Sequence, residues 1–207
     1  MKLFWLSLLI TISHGFGALD PARLELAVSA VYVSKNITCT SPIQLFTKDY
    51  VLFYDALGFP VVGVSDNNNK ALNGVYPCVI VKMKETLKFT PKSGSANCVN
   101  FANYESDICV TGMQNRQLDG SVTNCSTSTT GEIVFLYMST GAGNYFPSQP
   151  FRPPTASGDN TNGVKIDTPF YVSGPSTGRF VVDGRALITG VSGTCQLPLP
   201  RFSFVNE

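Results

Sequence analysis

Cys78-Val79-Ile80-Val81-Lys82-Met83-Lys84 alternates apolar and basic side chains over its second half, with a period of two. Successive side chains of a β-strand point to opposite faces. Val79, Val81 and Met83 therefore share one face, and Lys82 and Lys84 take the other. One side of this strand meets a core and one side meets water, the usual signature of an antiparallel sheet. Further along, Glu132-Ile133-Val134-Phe135-Leu136-Tyr137-Met138 is apolar on both faces, which predicts a central strand.

The same periodicity recurs outward from these two segments. Leu24, Leu26, Val28, Ala30 and Tyr32 are expected on one strand face, although Asp20-Pro21 ahead of them equally suits the cap of a short helix. Tyr50-Val51-Leu52-Phe53-Tyr54 and Phe59-Pro60-Val61-Val62-Gly63-Val64 read as strands, and Asp66-Asn67-Asn68-Asn69 as a turn. Phe180-Val181-Val182, Asp183-Gly184 and Arg185-Ala186-Leu187-Ile188 read as a hairpin with a two-residue turn. Short strands, frequent turns and aromatic or β-branched filling predict a mainly β fold. It is expected to be an antiparallel β-sandwich or a barrel-like domain stapled by disulfides.

Residues 1–17 have the layout of a secretory signal peptide. Lys2 precedes a short apolar run, and the small residues Ser13, Gly15 and Gly17 follow it, placing the cut after Gly15 or Gly17. The run falls short of the roughly 20 residues that span a bilayer. Residues 18–207 are then expected to form a single β-rich extracellular domain, secreted and without a membrane anchor. All six cysteines, Cys39, Cys78, Cys98, Cys109, Cys125 and Cys195, lie beyond the leader. An even number in an exported chain predicts three disulfides, with the pairing open. Asn36-Ile37-Thr38 and Asn124-Cys125-Ser126 are acceptor patterns for N-glycosylation at Asn36 and Asn124.

Composition excludes several classes of function. Loss of Lys2 with the leader leaves 14 of the 15 basic residues against 14 acidic ones, with no basic cluster. Nucleic-acid binding, which needs a basic footprint, is not expected. The only histidine, His14, and the only tryptophan, Trp5, both lie in the leader. Triad chemistry and histidine-ligated metals therefore lose their reagent, and neither a metal nor a cofactor is expected. Carboxylate chemistry remains open to an enzyme, with Asp55 and Glu132 the most conspicuous acids. Asp159-Asn160-Thr161-Asn162-Gly163 supplies oxygen ligands, but its spacing fits an Asx-rich turn better than a calcium loop.

Residues 140–163 are rich in Gly, Pro, Ser, Thr and Asn and read as one long surface loop. Five cysteines precede this loop and only Cys195 follows it, so complete pairing requires a disulfide across it. Within the loop, Tyr145, Phe146, Phe151 and Arg152 are side chains of the kind enriched at binding hot spots. The competing expectation is that the rings fold back to cap the core. The leading functional expectation is a secreted, non-enzymatic recognition protein that uses loops on a β scaffold to bind an extracellular protein or glycan. A carboxylate-based glycan-processing enzyme and a carrier of an apolar ligand are the alternatives.

The leader makes a direct prediction. Exported protein emits tyrosine-type fluorescence alone, because Trp5 leaves with the signal; tryptophan emission from purified extracellular material would show that the leader is retained.

Overall fold

The computed structural model describes residues 18–55, 61–62, 73–95, 97–126, 131–172, 178–191 and 193–206. The leader expected at 1–17 and the turn expected at 66–69 lie outside them, as does all of 59–64 except Val61 and Val62. No helix occurs among the described residues, and none is long and apolar enough to cross a membrane.

The main sheet is organised on β5 (Cys78–Pro91). β1 (Pro21–Ser34) runs antiparallel along its length, and β2 (Ile43–Asp55) lies outside β1. On the other edge of β5 the partner changes midway. β9 (Ile133–Ser139) pairs with Cys78 through Lys84, and β6 (Tyr104–Asp107) pairs with Thr86 through Phe89. β10 (Val164–Lys165) adds a short parallel strand beyond β9. The order β10-β9-β5-β1-β2 does not close on itself, so the barrel alternative is not realised. Residues 134–138 are buried on both faces as expected, and β9 lies inside the sheet between β10 and β5, although Glu132 at its start is exposed.

The smaller ladders are all antiparallel. β12 (Gly178–Asp183) lies between β15 (Arg201–Asn206) and β3 (Val61–Val62). β11 (Phe170–Val172) pairs with β4 (Gly74–Tyr76), and β13 (Thr189–Val191) with β14 (Thr194–Gln196). β7 (Gln114–Arg116) and β8 (Val122–Asn124) form a short pair of their own.

Each face of the main sheet has its own cluster. Val79, Val81 and Met83 join Leu24, Leu26, Val28, Val134, Leu136 and Met138 in the larger core. Phe180 and Phe202, stacked 5.8 Å apart, and Phe170 and Phe204, edge to face at 4.7 Å, enter it from the smaller ladders. Burying each such side chain contributes about 1.5–3 kcal/mol. The opposite face carries Ile80, Phe135 and Tyr137, with Tyr32 and Leu118 against them.

Three sequence readings fail for local reasons. The shared face of β1 runs only from Leu24 to Val28. Register shifts on both sides of Val28–Ala30 mark a bulge there, after which Val31 and Val33 enter the large core while Tyr32 turns to the second cluster. The hairpin at 180–188 does not form either, since β12 pairs with β15. Asp183 accepts the Arg185 N–H at 3.0 Å and holds its guanidinium at 2.7 Å. The chain then turns through Ala186, at φ 53°, and Ile188 bridges to Leu19. Asp20 accepts the Ala186 N–H at 2.9 Å and fixes this crossing. The helix-cap alternative for Asp20-Pro21 is also absent, because β1 begins at Pro21.

Three disulfides pair Cys39 with Cys78, Cys98 with Cys195, and Cys109 with Cys125. The Cys98–Cys195 bridge spans 97 residues and crosses the 140–163 loop, as cysteine parity required.

Glu85 stands where β5 changes partner. Its N–H donates to Glu132 O and its C=O accepts from Ile108 N–H, both at 2.9 Å. The side chain has no exposure: Oε1 accepts the Glu132 N–H at 3.2 Å, and Oε2 has no partner. Burial pushes the carboxyl from its ordinary 4.5 up to about 7, with the Glu132 and Asp107 charges acting in the same direction. The folded state thus binds this proton more tightly than the unfolded chain. Stability should fall as pH rises from about 4.5 to about 7, then level off. Thermal unfolding of Glu85→Gln should show a flatter profile across that window and a higher Tm than the parent at pH 8. Parallel profiles for the two proteins would refute this role.

Candidate functional site

The 140–163 segment contains no strand, yet its backbone is extensively bonded. Ala142 bridges to Asp159 and Gln149 to Asn162, while the Tyr137 N–H of β9 donates to Pro150 O at 3.1 Å. Asp159 is the internal anchor. Its Oδ2 accepts from the Thr155 N–H, the Thr155 hydroxyl and the Asn162 side chain, and its Oδ1 from the Thr161 and Asn162 N–H groups, all at 2.9–3.0 Å. Burial pushes this carboxyl up, but the hydrogen bonds outweigh that effect and hold it far below its usual range. This is the Asx-rich turn expected from sequence, with both oxygens already engaged. Close packing also requires glycine at 143, where a Cβ would collide with the Asn160 side chain and approach Gly158 O to 2.8 Å.

The four loop residues singled out from sequence go to three different places. Phe151 is fully buried and belongs to the large core, so its expected place on a binding surface is corrected: it roots the loop. Arg152 is half-buried, and its Nη1 donates to Gln114 Oε1 at 2.9 Å. Tyr145 and Phe146 alone stand out together, 45% and 51% exposed.

Those two rings are held in place. Lys165 Nζ lies 5.1 Å from the centroid of Tyr145, and the Tyr145 hydroxyl is hydrogen-bonded to Asp167. That bond raises the phenol above its usual value. Arg201 of β15 lies 5.4 Å from the Phe146 centroid. The Phe146 N–H donates to Asn144 Oδ1 at 2.9 Å, closing an Asx turn under the ring. Cations over ring faces contribute about 0.5–1 kcal/mol each at exposed sites. A shallow cavity of about 370 Å³ opens beside Tyr145, between Lys165, Asp167 and Ser203. Sequence reasoning missed Lys165, Asp167 and Arg201. Lys165 and Asp167 are spaced to share a side of an extended chain, but nothing in the sequence links Arg201 to Phe146.

Among the described residues the carboxylates do not assemble into a hydrolytic pair. Glu85, the acid with the strongly raised carboxyl, is sealed from solvent and lines none of the described cavities. Glu132 is exposed, and the side chain of Asp55 lies outside the described residues. Glu25 and Glu105 line a cavity of about 380 Å³, but Arg23 and Lys88 hold them at 3.6 and 3.4 Å. Asp107, raised by burial and by Glu105, lines another cavity with Glu105. Those two acids lie two residues apart on β6, hence on one wall, whereas glycosidic cleavage needs acids flanking the scissile bond. Asn36 and Asn124 are both exposed, Asn124 at the end of β8. No group of acids or cysteines among the described residues is arranged to hold a metal ion.

The chain matches no protein-family model, and no curated protein or solved structure is significantly similar to it.

The loop anchor is testable on its own. Asp159→Ala should lower stability by on the order of 2 kcal/mol, since it removes several hydrogen bonds to a charged acceptor. Denaturant unfolding measures this, and an unchanged midpoint would mean that the segment is held by other contacts.

Proposed function

We propose that this chain is a secreted, non-enzymatic recognition protein that binds an extracellular protein or glycan through Tyr145 and Phe146. One observation carries the reading: two neighbouring aromatic side chains, half exposed to solvent, are each pinned by a cation on a loop rooted in the core. Aromatic side chains and arginine dominate binding hot spots. Ordering a side chain at an interface costs about 0.5–1.5 kcal/mol, and rings already fixed in the free protein avoid most of that loss. The leader and the three disulfides support an oxidising, extracellular setting. Loops on a rigid β scaffold are a common location for recognition.

The test is capture of partners from native extracellular fluid, together with a printed glycan array, using the parent and a Tyr145→Ala/Phe146→Ala double variant. Both side chains are half exposed, so the variant should keep the parent's circular dichroism and Tm. Its affinity for the captured partner should fall at least about 30-fold, the equivalent of 2 kcal/mol. Undiminished binding by a folded double variant would overturn the proposal.

A further inference from the structure

A second cavity, of about 480 Å³, shares no lining residue with the one beside Tyr145. It lies between three segments: the loop at 38–42, the turn at 116–120 and the residues at 152–155. Its size falls within the range of small-molecule sites. The Tyr137 ring forms part of the lining, and its hydroxyl donates to Arg116 O at 2.8 Å. Burial pushes that phenol up to about 12, so it stays neutral.

Two arginines share this cavity because of the backbone beneath them. The Arg116 N–H donates to Phe151 O at 2.9 Å, which sets β7 alongside the residue that precedes Arg152. Arg152 is then steadied by Gln114 two residues before Arg116, so both cations belong to one braced unit. Neither guanidinium makes an ion pair with a described residue. Elsewhere in the molecule arginines do find acids, as Arg185 finds Asp183 and Arg23 finds Glu25. The acid in the lining, Asp119, accepts the Ser121 N–H at 2.8 Å and the Ser121 hydroxyl at 2.6 Å on Oδ1, which lower its pKa and keep it ionised, so it offsets one of the two positive charges. Two guanidiniums and one carboxylate leave the lining with a net positive charge, and an anion bound beside the arginines offsets it.

The rest of the lining has the character of a sugar site. Pro153, half-buried over the buried Pro154 and Tyr137 ring, offers apolar surface for the C–H face of a pyranose. Thr38, Thr40 and Ser41 offer hydroxyls for its polar edge. The loop that bears them is held by the Cys39–Cys78 disulfide, and Cys39 and Ser41 both adopt left-handed backbone, at φ 59° and 51°. Non-glycine residues rarely take that conformation, and such strain concentrates at functional sites.

We infer that this cavity binds an acidic sugar, its carboxylate or sulfate held by Arg116 and Arg152 and its ring against Pro153. The inference is independent of the proposal for Tyr145 and Phe146.

Calorimetric titration at low ionic strength tests it with four probes: a hexuronate disaccharide, a sulfated disaccharide, a neutral disaccharide and triglutamate. Binding of the hexuronate alone identifies a carboxylate site, and binding of the sulfated sugar alone a sulfate site; binding of both supports the shared chemistry. Arg116→Gln, an exposed side chain whose structural bonds are made by its backbone, should weaken the acidic sugar at least tenfold without changing Tm. The Tyr145→Ala/Phe146→Ala variant should bind it as the parent does, which separates the two proposals. The inference fails if neither acidic sugar binds, if the neutral sugar or triglutamate binds as tightly as the acidic sugar, or if Arg116→Gln binds undiminished.

Discussion

The whole main sheet depends on one strand serving two partners along one edge. β5 gives its first half to β9 and its second half to β6, and the exchange occurs within a single residue, Glu85. A backbone that leaves one ladder before joining the next risks stranding buried N–H and C=O groups, and burying such groups unpaired is costly. Glu85 closes the gap with three bonds: its N–H to Glu132, its C=O to Ile108, and its carboxylate to the Glu132 N–H that β5 itself leaves unpaired. This explains an acid on the face otherwise given to Val79, Val81, Met83, Leu87 and Phe89. The geometry satisfies the backbone and leaves one carboxylate oxygen buried without a partner.

From that junction the two halves of the edge diverge into different tasks. β6 leads to Cys109 and the disulfide-closed segment that carries β7 and β8, while β9 leads into the 140–163 loop. The two routes meet again on the second face of the sheet, where Asn115 of β7 donates to Ile133 O and accepts the Phe135 N–H of β9. The disulfides reinforce this arrangement at different scales. In the chain-entropy picture, closing about 100 residues restricts the unfolded chain by about 4.7 kcal/mol, against about 3 for a loop of about 15. The Cys98–Cys195 bridge is thus the long-range tie, and Cys109–Cys125 is a local one.

The architecture was legible where strand periodicity ran undisturbed. The segment from Val79 to Lys84 kept its faces, and 134–138 is buried on both sides. Periodicity gives no warning of a bulge, so Ala30 and Tyr32 were carried past the point where β1 changes face. Asp183-Gly184 has good turn chemistry, but Asp183 uses its carboxylate on Arg185, and the long-range pairing of β12 with β15 prevails over the local hairpin. Glu85 did leave a signal, since the alternation places an acid on the apolar face of β5. The site was legible in part. Residue type marked out Tyr145 and Phe146 but could not separate them from Phe151, because an aromatic ring in a polar loop suits an anchor and a binding group equally well. The meeting of Arg116 with Arg152, and of Arg201 with Phe146, depends on tertiary pairing that no local pattern encodes.

The loop itself shows how a polar segment becomes part of a scaffold. A run of two dozen residues without strand or helix must satisfy its backbone some other way. Asp159 provides a fixed acceptor for three N–H groups, and parallel bridges at Ala142 and Gln149 join the outgoing chain to the returning one. Phe151 supplies the apolar contact that hydrogen bonds alone would not, fastening the middle of the segment to the large core. Once the middle is fixed, the residues on either side are displayed with little freedom left to lose. Tyr145 and Phe146 precede the anchor and form an aromatic surface, while Arg152 follows it and joins Arg116 in a cationic cavity. A single buried ring thus divides one loop into two chemically distinct displays, and both inherit their rigidity from the same contact.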